Sequence, residues 1–229
     1  MTQLLLDLKP EQPPTLDNFV AGANAELISR LRGLTARGNF DAVYLWGASG
    51  CGKSHLLAAT VAAARRPSVL LAGGATGAEI AIAPGMLLVI DDVQALGEAA
   101  QVALFRTFNA ARLAGLAILL AGSEPPARLG LREDLRTRIG QALVYEVKPL
   151  SDDEKSAALK RHALMRGMKV DEGLVRYLLS RGRRDLNSLM AVLDSLDRAT
   201  LEQKRPATLP LLKEVMQLQF DTDDESRSV

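Results

Sequence analysis

Short apolar runs separated by amphipathic stretches dominate the first two thirds of the chain. Val43-Tyr44-Leu45-Trp46, Ser68-Val69-Leu70-Leu71, Met86-Leu87-Leu88-Val89-Ile90, Ala117-Ile118-Leu119-Leu120-Ala121 and Leu143-Val144-Tyr145-Glu146-Val147 have strand length. The third and fourth are apolar throughout, as strands buried on both faces of a parallel sheet are. Helical spacing recurs between the runs: Leu27, Ile28, Leu31 and Leu34 within 24–37, an amphipathic stretch over 53–65, and Val102, Leu104, Phe105 and Phe108 within 98–113. Strands alternating with helices predict an α/β fold with a doubly wound parallel sheet. The Gly- and Ala-rich stretch 73–84 has no period that assigns it.

The pattern changes after Lys148-Pro149-Leu150. Ser151-Asp152-Asp153-Glu154 reads as an N-cap with an acidic first turn. Beyond it only helices are predicted, over 152–166, 171–181, 184–200 and 208–219, forming a small all-α domain. Pro10, Pro13 and Pro14 mark 1–16 as an extended arm, and the acidic, serine-bearing 221–229 reads as a disordered tail. The expected organisation is an arm (1–16), an α/β domain (17–148), a helical domain (149–220) and the tail.

The junction between the first strand and its helix carries the chemistry. Gly47-Ala48-Ser49-Gly50-Cys51-Gly52-Lys53-Ser54 matches G-x-x-x-x-G-K-[ST] at every fixed position, in the strand–loop–helix context the motif requires. Such a loop turns backbone N–H groups toward phosphates, and the following helix N-terminus adds positive potential. Lys53 is placed to reach the β- and γ-phosphates, and Ser54 to ligate Mg²⁺. The run ending at Ile90 leads into Asp91 and Asp92. Asp91 is the candidate to hold Mg²⁺, and Asp92 to polarise an attacking water. Ser123, just past the fourth strand, is placed to face the phosphates, since ligands sit beyond the carboxyl ends of such strands. Arg138 lies shortly before the last strand, where it could reach a neighbouring subunit's nucleotide. In the arm, Gln3 followed by Leu4, Leu6 and Leu8 suits docking of an extended segment into an apolar groove.

Composition narrows the classes. Aromatics make up only 4%, so Leu, Ala, Val and Ile must build the core. One cysteine excludes an internal disulfide framework, and its place in the phosphate loop suits a reducing, cytoplasmic setting. No run of 18 apolar residues predicts a spanning helix, and Leu4-Leu5-Leu6 lacks the flanks of a signal peptide. A formal net charge of +1 argues against DNA as the main partner. His55 and His162 have no Cys or His at ligand spacing, so no metal beyond Mg²⁺ is expected.

These motifs resemble those of the AAA+ family, DnaA branch, over nearly the whole of 3–218. Thr15-Leu16-Asp17-Asn18-Phe19-Val20, with Gly22 and Asn24, resembles the segment that contacts adenine, which assigns Phe19 and Val20 to the nucleotide. Leu88-Val89-Ile90-Asp91-Asp92-Val93-Gln94 resembles the Walker B strand, and Gly122-Ser123-Glu124-Pro125-Pro126 the sensor 1 turn. Asp134-Leu135-Arg136-Thr137-Arg138 resembles the box whose arginine finger falls at Arg138, and Lys148-Pro149-Leu150-Ser151-Asp152 the hinge into a helical lid. The arm resembles a motif that binds the replication sliding clamp, the β subunit of DNA polymerase III. Two departures stand out. Asn187 occupies the sensor 2 position where an arginine is usual, with Arg184 one turn earlier, and Ala121 and Ser123 stand where Thr and Asp are common.

The resemblance implies a P-loop AAA+ module with a helical lid, binding ADP or ATP with Mg²⁺. It implies a DnaA-homologous regulator that restrains replication initiation, with weak or no ATPase of its own, acting on DnaA-bound ATP through Arg138. The implied partners are DnaA and the clamp, with no sequence-specific DNA binding and no membrane, and homo-oligomerisation left open. The alternatives are a helicase loader or DNA-tethering initiator relative, and, with less support, a small-molecule kinase on the same loop.

Overall fold

The computed structural model describes residues 13–36, 40–183 and 185–225, with side chains given as far as 217. It divides into two compact units, one spanning Gln12–Pro149 and one built on Leu150–Val229.

The first unit is a five-stranded parallel sheet between two helical layers. The strands are β1 (Asp41–Trp46), β2 (Ser68–Ala72), β3 (Leu87–Asp91), β4 (Ala117–Gly122) and β5 (Leu143–Glu146), in the order β2-β3-β4-β1-β5. Helices α1 (Ala25–Thr35), α2 (Lys53–Ala63), α3 (Glu98–Ala114) and α4 (Glu133–Gly140) connect or flank them. Side-chain alternation along the central strands supplies both faces. Val43, Leu45, Leu87, Val89 and Leu119 pack with Leu27, Leu31 and Leu34 of α1 and Leu56 and Leu57 of α2. Tyr44, Leu88, Ile90, Ile118 and Leu120 pack with Leu104 and Phe108 of α3 and Leu135 and Ile139 of α4. A strand buried on both sides has no polar position to spare, hence the unbroken apolar runs.

Arg66 secures the end of this unit opposite the strand C-termini. Its guanidinium is buried and donates to the carbonyls of Gly85 (2.6 Å), Gly115 (2.9 Å) and Ala36 (3.3 Å). Those carbonyls lie beyond the ends of three connections, so one side chain ties together the chain after α1, the approach to β3 and the end of α3.

The second unit is helical throughout its described residues: α5 (Asp152–Met165), α6 (Glu172–Arg181), α7 (Leu186–Gln203) and α8 (Leu209–Glu225). Leu159, Leu174, Leu178, Leu189, Leu193, Leu196, Leu211 and Leu212 form its core. The first three of these helices have capped starts. Ser151 and Glu154 form a capping box, Asp171 accepts from Leu174 N–H at 2.7 Å, and Asp185 from Ser188 N–H at 2.8 Å. These caps satisfy donors that a helix N-terminus otherwise leaves orphaned.

Two elements depart from the sequence reading. α4 was not anticipated, because only Leu135 and Ile139 of its eight residues are buried, too short a stripe to show as a period. α8 runs to Glu225, so 221–225 are helical rather than a disordered tail; after Pro210 in its first turn the stretch has no Gly or Pro to stop it.

Replacing Arg66 by Met is expected to destabilise the protein by about 2–4 kcal/mol, since three buried acceptors lose their donor; urea unfolding measures it. Hydrogen bonds from Ser151 hold the Glu154 carboxyl below the usual carboxylate range. Its contribution is therefore complete above the ordinary carboxylate pKa and is lost as pH falls through the depressed folded value. Glu154→Gln is expected to flatten the acid limb of the stability profile in that window, read by thermal melts between about pH 5 and pH 2.

Candidate nucleotide site

Parallel pairing gathers the candidate residues at one edge of the sheet. Trp46 lies beside Gly122 in the register of β1 with β4, and Ile90 beside Leu120 in that of β3 with β4. The loop 47–54, the Asp91-Asp92 pair and Ser123 all follow the C-terminal ends of these strands, where ligands bind in open α/β sheets.

The loop bends through Gly52, whose φ is +101°. A Cβ there would also lie 2.6 Å from Cε2 of Phe19, so glycine is required twice over. Lys53 opens α2, and its ammonium donates to the carbonyls of Gly47 (2.8 Å) and Ala48 (3.0 Å). Half-buried Cys51 places its Sγ 3.9 Å from the same nitrogen. Ser54 is exposed in the first turn of α2, beside Lys53. Gly47, Ala48, Ser49 and Gly50 complete a loop that presents backbone N–H groups and a helix N-terminus to an anion. A serine hydroxyl at this turn and the half-buried Asp91 at the end of β3 form an oxygen donor set of the kind that Mg²⁺ takes together with substrate phosphates. Among the described residues no group of three or more His, Cys, Asp or Glu could hold a metal alone.

The N-terminal segment is fastened to this loop. The Phe19 ring covers Gly52 and lies 5.5 Å from the His55 ring, while His55 Nε2 is 3.1 Å from the Thr15 carbonyl. Val20 is half-buried next to it. Asn24 is only 3% exposed and reads both backbone polar groups of Lys148, donating from Nδ2 to its carbonyl (2.9 Å) and accepting its N–H (2.8 Å). This amide clasp joins positions 124 residues apart.

At the acidic end, Asp92 takes a left-handed conformation with φ +51°, and its N–H donates to Asp91 Oδ1 at 2.9 Å. Gln94 then bridges two strands: Nε2 donates to Asp92 Oδ1 (3.0 Å) and Oε1 accepts from Ser123 N–H (3.2 Å). Tyr44 supports the turn from within the sheet, its hydroxyl donating to the Glu124 carbonyl at 2.6 Å. Burial first, and the nearby Glu124 charge second, push the Tyr44 phenol well above its ordinary pKa, so it acts as a fixed donor. Gly122 makes room for both, since a Cβ there would lie 2.4 Å from the Tyr44 hydroxyl and 3.2 Å from Gln94 Oε1. Ala121 is buried in β4 and only Ser123 reaches solvent.

Arg138 stands apart from this cluster, exposed on α4. It donates to Asn109 Oδ1 (2.9 Å) and Gln141 Oε1 (3.4 Å), with its guanidinium 5.9 Å from the centre of the Phe105 ring. Its partners are thus neutral. Asn187 is exposed in the first turn of α7. Arg184 and the arm residues Gln3, Leu4, Leu6 and Leu8 lie outside the described residues.

Residues 152–216 match the family described as Hda, lid domain. The C-terminal unit is thus similar over 152–216 to the lid of that family. Domain III of the Thermotoga maritima replication initiation protein DnaA superposes with a TM-score of 0.74 at 18% identity, over 91% of this chain and 98% of that one. AMPPCP-bound DnaA from Aquifex aeolicus matches at 0.66 and 20% identity, over 80% of this chain and 65% of that one. The Thermotoga maritima RuvB branch migration motor matches at 0.69 and 17% identity, over 90% and 72%. The sheet unit has the AAA+ fold seen in DnaA, as expected from the phosphate loop and Walker B strand.

The spacing did not single out Gln94, Asn24 or Tyr44 as parts of the site. Tyr44 carried a faint signal, a hydroxyl inside an otherwise apolar buried strand, which must find a partner. Gln94 and Asn24 fell within the Walker B and adenine-contacting stretches, but their partners were not legible there, because an amide's role depends on what lies opposite it.

Gly122→Ala is expected to destabilise the protein by about 1–3 kcal/mol through overpacking. Adding Tyr44→Phe removes the 2.4 Å obstacle and should recover part of that loss; denaturation midpoints of the single and double variants measure it.

Proposed function

We propose that this chain is an AAA+ regulator of chromosomal replication initiation. It binds ADP or ATP with Mg²⁺ at its own phosphate loop, through Lys53, Ser54 and Asp91, with Phe19 and Val20 against the base. The Hda-type lid and the DnaA-like fold support a DnaA-related regulator. AMPPCP in a matching DnaA structure supports an adenine nucleotide. The arm residues Gln3, Leu4, Leu6 and Leu8 dock on the DNA-loaded sliding clamp, in the cytoplasm.

The observation that carries the trans reading is Arg138. An exposed guanidinium held, among the described residues, by two neutral side-chain amides and an aromatic ring can leave them at small cost. In ATP-bound DnaA it would meet the γ-phosphoryl group. Water attacks phosphorus there, the bond to the β-bridging oxygen breaks, and ADP and phosphate leave. Arg138 stabilises the charge spread over the phosphoryl oxygens in that transition state. In this chain's own site Asp92 is the candidate to polarise water. Asn187 brings no charge to the sensor 2 position, so the chain's own turnover is weak or absent and its main effect falls on DnaA.

Single-turnover hydrolysis of ATP preloaded on DnaA is expected to accelerate in the presence of this protein and clamp loaded on DNA. Arg138→Ala should abolish the acceleration, which for an arginine finger is worth roughly 10³–10⁵-fold. Arg138→Lys should restore little, because an ammonium lacks the planar fork. No acceleration by folded, nucleotide-bound protein would overturn this reading in favour of a helicase loader or DNA-tethering relative, recognised by salt-sensitive single-strand binding.

A further inference from the structure

We propose that Gln94 is a positioning residue that couples the Ser123 turn to the Asp92 carboxylate and so sets how this site distinguishes a nucleoside triphosphate from a diphosphate. The proposal rests on the nucleotide-binding part of the reading above, not on its action toward DnaA.

Gln94 lies in the short 3-10 turn Val93–Ala95 that follows β3. Its primary amide is fixed in direction by what faces it. The carboxylate of Asp92 can only accept, so Nε2 must point there, and the N–H of Ser123 can only donate, so Oε1 must point there. The amide is therefore a strut of defined polarity between two strand ends, spanning 29 residues of sequence to Ser123. Each end is itself held. Asp92 is pinned in the left-handed region with its N–H on Asp91, and a Cβ at Gly73 would lie 2.2 Å from the Asp92 carbonyl. The Ser123 turn is held one residue further on by Tyr44, and Gly122 lacks the side chain that would crowd Gln94 Oε1. With both anchors fixed, a shift of either end has to pass through the amide.

Asp92, Gln94 and Ser123 are exposed at the sheet edge that carries the phosphate loop. A third phosphate adds charge on the side of the acidic pair and Ser123, whereas the first two are cradled by the loop itself. Donation from Nε2 offsets part of the negative potential of Asp92 and aims its lone pairs. Without Gln94 the carboxylate is freed to repel the added phosphate, and Ser123 N–H loses its acceptor. The diphosphate, held by loop N–H groups and Lys53, is affected little.

The test measures affinities of the full-length protein, with Mg²⁺, for fluorescent ADP and for a fluorescent non-hydrolysable ATP analogue. Gln94→Ala is expected to weaken the triphosphate relative to the diphosphate by roughly 10-fold or more, the scale of one hydrogen bond to a charged group. Gln94→Glu should weaken it further, since it places a second carboxylate against Asp92. The nucleotide-free melting temperature of Gln94→Ala should stay within about 2 °C of the parent, which separates positioning from scaffolding. In an Asp92→Asn background, where no carboxylate remains to be aimed, Gln94→Ala should change the ratio by less than about 2-fold, the non-additivity expected of groups in one network.

An unchanged ratio in folded Gln94→Ala would overturn the proposal, as would an equal effect in the Asp92→Asn background. A parent protein that binds neither nucleotide would overturn the nucleotide site and this proposal with it. All of these readouts concern the chain's own site and are independent of whether it accelerates hydrolysis on DnaA.

Discussion

Trp46 sits beside Gly122 because β1 pairs in parallel with β4, and the rest of the site depends on that pairing. β1 is an interior strand, with β4 on one side and β5 on the other. The loop after β1 therefore opens next to the turn after β4, with the acids of β3 one strand further along. Antiparallel placement of any of these strands would send its C-terminal end to the far edge and scatter the cluster. The pairing is held by burial on both faces: Val43, Tyr44, Leu45, Leu119 and Leu120 are at most 1% exposed. No half-buried register is open to such strands, since a slip of one residue exchanges the side chains presented to the two helical layers.

The polar contacts of the first unit divide between its two ends. Opposite the strand C-termini, Arg66 offers a permanent charge to three carbonyls with no carboxylate in hydrogen-bonding reach, a rigid brace with no titratable acceptor. At the C-terminal ends, neutral amides and a phenol do the fixing: Asn24 on Lys148, Gln94 between Asp92 and Ser123, Tyr44 on Glu124. Neutral donors position charged groups without competing for an anionic ligand's charge. The free positive charge at that end is left to Lys53, which rests on loop carbonyls.

Arg138 follows the same logic at a different surface. Asn109, Gln141 and Phe105 orient it without neutralising it. At the N-cap of the same short helix Arg132 is paired with Asp134, whose carboxyl is held below its usual range chiefly by that hydrogen bond. The arginine at the N-cap of α4 is thus committed to a carboxylate, while Arg138 in its last turn is held by neutral side chains.

Much of this architecture was legible in one dimension. The five apolar runs are the five strands, the 47–54 loop lies between β1 and α2, and Asp91, Asp92 and Ser123 fall at strand ends. These features are local, because apolar continuity, glycine at a turn and the reach of a lysine along its own loop are set by neighbours in sequence. The strand order, and with it the meeting of those strand ends, required the tertiary structure. α4 escaped notice because two buried residues make no period, and α8 ran past its expected end because helix continuation is limited only by a breaker. Gln94, Asn24 and Tyr44 acquired roles only when partners 29, 124 and 80 residues away came opposite them. An amide or a phenol is uncommitted chemistry until folding supplies its donor or acceptor, whereas a glycine-rich phosphate loop carries its geometry within itself.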